Sequence, residues 1–135
     1  MTVSSFLKMY GVGVVTFFAL DLLWLGLVAK DFYQQQIGQL MRPDVRWLPA
    51  VLFYLIFVAA LVVFVAAPAV ERQSVGRAVA FGAFFGLAAY AAFDLTALAL
   101  LRDFPVRVAV VDLAWGAVLS ATVSAAVVLG ARVWA

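Results

Sequence analysis

The chain alternates between long apolar runs and short polar links. Four runs, about 6–29, 48–70, 78–101 and 108–131, each reach the roughly 20 mostly apolar residues that a helix needs to cross a bilayer. Charges and prolines mark every break: Lys30, Asp31, Arg42, Pro43, Asp44 and Arg46 after the first run, Glu71, Arg72 and Arg77 after the second, and Arg102, Asp103, Pro105 and Arg107 after the third. The runs are continuous rather than alternating, which excludes a closed barrel. The pattern predicts an all-α membrane protein, an antiparallel bundle of four transmembrane helices forming a single transmembrane domain over 1–135. The first run spans about 24 residues and contains Asp21, against roughly 7–15 wholly apolar residues in a cleaved leader, so it is expected to be retained.

Detail within the links refines this picture. Tyr33, Ile37, Leu40 and Met41 fall at helical spacing among glutamines, which predicts a short helix lying in the headgroup region. Trp24, Trp47, Trp134, Tyr10 and Tyr33 lie near span ends, where amphipathic rings anchor at the interface. The four prolines, Pro43, Pro49, Pro68 and Pro105, sit in links or terminal turns. No span is broken in its middle, which argues against the discontinuous helices of many secondary transporters. Lys8, Arg72, Arg77 and Arg132 lie on the side of the termini, and Lys30, Arg42, Arg46, Arg102 and Arg107 on the other. That balance gives charge bias little to act on. The expected location is a cell inner membrane, bacterial by the resemblance given below, with both termini in the cytoplasm. The same balance is compatible with a homodimer of dual topology, by analogy with small multidrug resistance proteins.

Composition agrees. The chain is 68% hydrophobic and 12% charged, about half the roughly 25% charge of a soluble domain. Disorder, nucleic-acid reading and ordinary cytosolic catalysis are excluded. A net charge of +2 implies no polyanion partner. Cysteine and histidine are absent, and with them go disulfides, thiol chemistry, Cys/His zinc sites, His-ligated haem and His-based triads. No cofactor and no resident metal are expected. Neither lysine sits mid-span to form a Schiff base with retinal.

The chemistry lies in the acids. Three of the seven, Asp21, Asp94 and Asp112, fall inside spans, where a carboxyl costs about 2.5–3.5 kcal/mol on insertion scales and usually faces the bundle interior. At 1.5 Å per residue, Asp21 lies about 5 Å, Asp94 about 7 Å and Asp112 about 11 Å from the mid-plane, all in one leaflet. The first span reads Asp21-Leu-Leu-Trp24 and the fourth Asp112-Leu-Ala-Trp115. This D-x-x-W spacing puts carboxyl and indole on one face, one turn apart. In antiparallel helices Trp115 comes level with Asp21 and Trp24 with Asp112, which predicts contact between the first and fourth spans and reciprocal indole-to-carboxylate hydrogen bonds. The third span places Gly82, Gly86, Tyr90 and Asp94 at four-residue steps, and the fourth Gly116, Ser120 and Ser124, small residues that let helices approach closely. Tyr90 is expected to hydrogen-bond Asp94, Thr96 its own backbone, and Tyr54 to reach the same leaflet from the second span. The candidate binding residues are Asp21, Asp94, Asp112, Trp24, Trp115, Tyr90 and Tyr54.

Three carboxyls in low dielectric cannot all carry charge without counter-charge. Lys30, Arg102 and Arg107 stand at the same membrane edge and could fold inward. An acid-lined pocket with a basic rim suits a cation, a proton relay or a polar lipid headgroup, with membrane lipids and a small-molecule or cationic ligand as partners. Oxygen ligands alone would favour Mg²⁺ or Ca²⁺ over zinc. Three functions are compatible with these residues. The leading one is binding or translocation of a cation or proton-coupled solute. The others are an enzyme acting on a lipid or isoprenoid through its aspartates, and an assembly protein whose acids only join helices, each contact contributing about 0.6–2 kcal/mol.

The segments Asp21-Leu-Leu-Trp24-Leu-Gly26, Tyr90-Ala-Ala-Phe-Asp94-Leu-Thr96 and Val111-Asp112-Leu-Ala-Trp115-Gly116 resemble an uncharacterised family of small bacterial membrane proteins, a domain-of-unknown-function family, over nearly the whole chain. The resemblance implies four helices and carries no established activity. The family's third motif is commonly D-L-T-N-L-A, and Ala97 here stands in place of that asparagine.

Overall fold

The computed structural model describes residues 2–134. Four helices are long and apolar enough to cross a membrane: Val3–Val28, Trp47–Glu71, Val75–Leu100 and Val106–Trp134. Their ends lie within three residues of those expected from hydropathy. A short connecting helix, Lys30–Ile37, joins the first two spans. No strand occurs among the described residues. The protein is an all-α membrane bundle.

Local chemistry sets the ends. Thr2 and Ser5 form a reciprocal cap at the start of the first span: the Ser5 amide donates to Thr2 Oγ1 at 3.0 Å, and the Thr2 amide to Ser5 Oγ at 3.0 Å. The second span closes in a left-handed cap, with Gln73 at φ 51° and the Ser74 amide donating to the Ala69 carbonyl at 3.0 Å. Ser74 then caps the third span by accepting from the Arg77 amide.

Two spans contain a widened, π-type turn. In the second it covers Val62–Ala66. Pro68 explains it: proline has no N–H to give the Phe64 carbonyl and its ring crowds that oxygen, so the helix opens by one residue just upstream. In the first span the wide turn is Trp24–Val28, closed by the Ala29 amide donating to the Trp24 carbonyl at 2.7 Å.

The third and fourth spans make the most extensive contact, followed by the first and fourth. Glycines permit the first of these. A Cβ at Gly86 would strike the Gly116 carbonyl and Ser120, and one at Gly82 would meet Ser124 Oγ at 2.8 Å and the Ser120 carbonyl at 2.9 Å. The second span packs across the other three through Phe57, Val58, Leu61, Val62, Val65 and Ala66. In its opening turns Trp47, Leu48, Leu52 and Phe53 are exposed. The core therefore concentrates toward the end holding the termini, and the acids occupy the other half.

Candidate functional site

Asp21 and Asp94 are buried and Asp112 is half-buried. Helix periodicity places each. Asp21 shares a face with Gly13 and Phe17, both buried against the second and fourth spans. Asp94 continues the stripe of Gly82 and Gly86 that faces the fourth span. Asp112 stands one turn before Gly116 on the face that receives them.

The first–fourth seam forms with a modification. Trp115 Nε1 donates to Asp21 Oδ1 at 3.1 Å, as the spacing predicts. The mirror bond from Trp24 to Asp112 is not direct. Trp24 Nε1 donates to the Tyr33 hydroxyl at 3.2 Å, and that hydroxyl donates to Asp112 Oδ1 at 2.9 Å. The two indoles stack, with centroids 4.5 Å apart and planes 8° from parallel. The Tyr33 phenol stands between Trp24 and Asp112 and bridges that side.

Tyr33 escapes the sequence reading, which treats it as an interface anchor. The available signal is its place on the apolar face of the connecting helix, where it is the one residue with a polar tip. Phe32, Tyr33 and Ile37 pack on Ala97, Phe104, Val108 and Ala109. The helix ends at Ile37, and Leu40 and Met41 are exposed rather than continuing that face. Burial, helped by the charge of Asp112, raises the Tyr33 phenol above its ordinary value and keeps it a neutral donor.

Tyr90 differs from expectation. It makes no hydrogen bond to Asp94; its ring lies against the backbone of Gly116, where any Cβ would collide with it, and edge-on to Phe57. That close approach takes its hydroxyl off the Asp94 line. The Tyr54 ring sits among Phe17 and Phe18, with centroids 5.0 and 5.3 Å away, and Asp21 is among its charged neighbours. Thr96 bonds its own backbone, donating to the Ala92 and Phe93 carbonyls.

Asp94 is the exceptional group. It is 0% exposed, and neither carboxyl oxygen has a hydrogen-bond partner. Its ionisable neighbour is the Asp112 carboxyl, which can bond to it only through a proton carried by one of the two. Lys30, Arg102 and Arg107 are exposed and do not fold in. Among the described residues, no three of His, Cys, Asp or Glu are grouped to hold a metal ion.

Cavities of about 410 and 160 Å³ lie at the end holding the termini. The larger is lined by Val70, Gln73, Val128, Ala131 and Arg132, the smaller by residues including Met9, Ala67 and Trp134. No aspartate lines either of them.

No curated protein and no solved structure matches the chain. Residues 6–129 match a family described as predicted membrane protein, DUF2177, whose function is unknown. The match takes in most of all four spans and all three aspartates, and the chain belongs to that family.

Proposed function

We propose that the protein binds a cation in the acid-bearing half of the bundle and exchanges it for a proton held by the Asp94–Asp112 pair. The observation that carries this reading is the Asp94 carboxyl, fully buried, with no donor at either oxygen and only the Asp112 carboxyl beside it. Acids that only join helices are satisfied by their partners, as Asp21 is by Trp115. Burying a polar group without a partner costs about 1–3 kcal/mol. A bound ligand that completes Asp94 accounts for a residue that packing alone would disfavour.

Two carboxyls side by side away from water cannot both be charged, so the pair retains a proton until a cation replaces it. The reading takes the membrane to be a cell inner membrane with both termini cytoplasmic. Because the chain has no cysteine, single cysteines introduced near each terminus test that orientation by labelling with an impermeant maleimide.

The direct test is calorimetric titration of the purified full chain with tetraphenylphosphonium and with choline, in buffers of different ionisation enthalpy. The expected result is binding that strengthens as pH rises, releases a proton, and disappears in Asp94→Asn. Absence of binding by both probes, or binding that Asp94→Asn leaves intact, overturns the proposal.

A further inference from the structure

We infer that Tyr33 and Asp112 form the proton access route to Asp94, opening at the end of the bundle opposite the termini. The inference rests on the exchange role given to Asp94 above and adds the path its proton takes.

Asp94 is fully buried and cannot trade protons with water directly. Its neighbour Asp112, on the fourth span, is half-buried. Asp112 Oδ1 accepts from the Tyr33 hydroxyl at 2.9 Å, and Tyr33 belongs to the connecting helix at the rim of the bundle. A phenol accepts a proton on its oxygen while giving up its own, so it can pass a proton without a net change in bonding. A hydronium ion at the rim gives its proton to the Tyr33 oxygen and becomes water, and the Tyr33 hydrogen moves to Asp112 Oδ1. Asp112 hands its proton to the ionised Asp94, and rotation of the Tyr33 hydroxyl restores its bond to Asp112. Reversal of the same steps releases it.

Trp24 sets the direction. Its Nε1–H donates to the Tyr33 oxygen at 3.2 Å, which turns the hydroxyl hydrogen toward Asp112. The packing of Phe32 and Ile37 on Phe104 and Val108 holds the phenol there. The titratable groups facing the pair are Tyr33 from the connecting helix, Tyr54 from the second span and Tyr90 from the third. Asp21, from the first span, faces Tyr54 and Tyr90 and is held by Trp115. Toward the termini, the third–fourth interface closes where Gly86 meets the Gly116 carbonyl and Ser120.

The test is a pH jump on the full chain in lipid nanodiscs, following the protonated-carboxyl infrared band that Asp94→Asn removes. Tyr33→Phe keeps the ring and its packing but has no proton to pass. It is expected to leave the size of the band unchanged and slow its rise by about a hundredfold, the low end of what a positioned proton-transfer group supplies. Tyr10→Phe is the control, because that hydroxyl donates to the Leu55 carbonyl away from the acids; it is expected to leave the rate as it was. A full band rising at an unchanged rate in Tyr33→Phe overturns the route and leaves the exchange role standing. Absence of any Asp94 band in the unmodified protein overturns the exchange role and the route with it.

Discussion

Trp24 and Trp115 lie face to face, ring centroids 4.5 Å apart, on helices that run in opposite directions. Each follows an aspartate of its own helix by one turn, so the stack fixes the relative height of Asp21 and Asp112 as well as of the rings. A shift of one residue along either helix would separate the indoles and break the Trp115–Asp21 hydrogen bond together.

This coupling is measurable. Asp21→Asn, Trp115→Phe and the double variant form a cycle in thermal unfolding in detergent. Membrane hydrogen bonds average about 0.6 and reach about 1.7 kcal/mol, and the expected coupling lies in that range. A coupling of zero would mean that the bond at 3.1 Å contributes nothing to the seam.

Gly86 tests the other principal interface. A methyl there meets a backbone carbonyl, which cannot rotate away. Gly86→Ala is expected to destabilise the fold by about 1–3 kcal/mol, the usual cost of overpacking. Gly11→Ala, with nothing within 4 Å of the new methyl, is expected to leave the melting temperature unchanged or slightly raised. Equal melting temperatures for the two variants would contradict the close third–fourth approach.

Asp94 separates function from stability. Replacing a buried carboxyl that no donor meets by an apolar side chain removes a desolvation penalty of about 1–3 kcal/mol. Asp94→Val is expected to melt at a higher temperature than the natural chain while losing proton release on cation binding. A lower melting temperature would show that the carboxyl joins the helices after all.

Tyr33 gives a prediction in pH. Its phenol is raised above the ordinary value of 10.0, first by desolvation and then by the charge of Asp112. Between the two values the unfolded chain has lost a proton that the folded one keeps. The stabilisation is therefore fully present below pH 10 and is lost as pH rises through the folded value. Phenolate absorbance, taken as the difference between the natural chain and Tyr33→Phe, is expected to stay flat up to pH 10 in the folded protein. It is expected to rise near pH 10 once the chain is unfolded.

Hydropathy carries the four spans because crossing a bilayer demands length and apolarity, both written locally. The first–fourth seam was legible for a similar reason: D-x-x-W in two antiparallel helices has one geometrically simple solution, and Trp115–Asp21 meets it. Trp24–Asp112 does not, because the Tyr33 hydroxyl is interposed between them, and only the packing of the connecting helix discloses that bridge. The same limit applies at Tyr90, whose spacing to Asp94 suggests a bond, whereas the missing side chain of Gly116 draws the ring elsewhere. The role of the aspartates goes beyond what spacing alone supplies, since it depends on which oxygens find partners.

The wide turn at Trp24–Val28 holds one residue more than a regular helix would use. A residue advances an α-helix by about 100°, so this turn acts as a phase offset between the first span and all that follows it. Deleting Leu25 would restore ordinary winding and swing the connecting helix roughly a quarter-circle around the bundle, carrying the Tyr33 hydroxyl off Asp112 with every side chain of the site still present. Such a deletion should reproduce the kinetics of Tyr33→Phe, making the angular setting of a backbone, rather than any single functional group, what joins the buried acid to the outside.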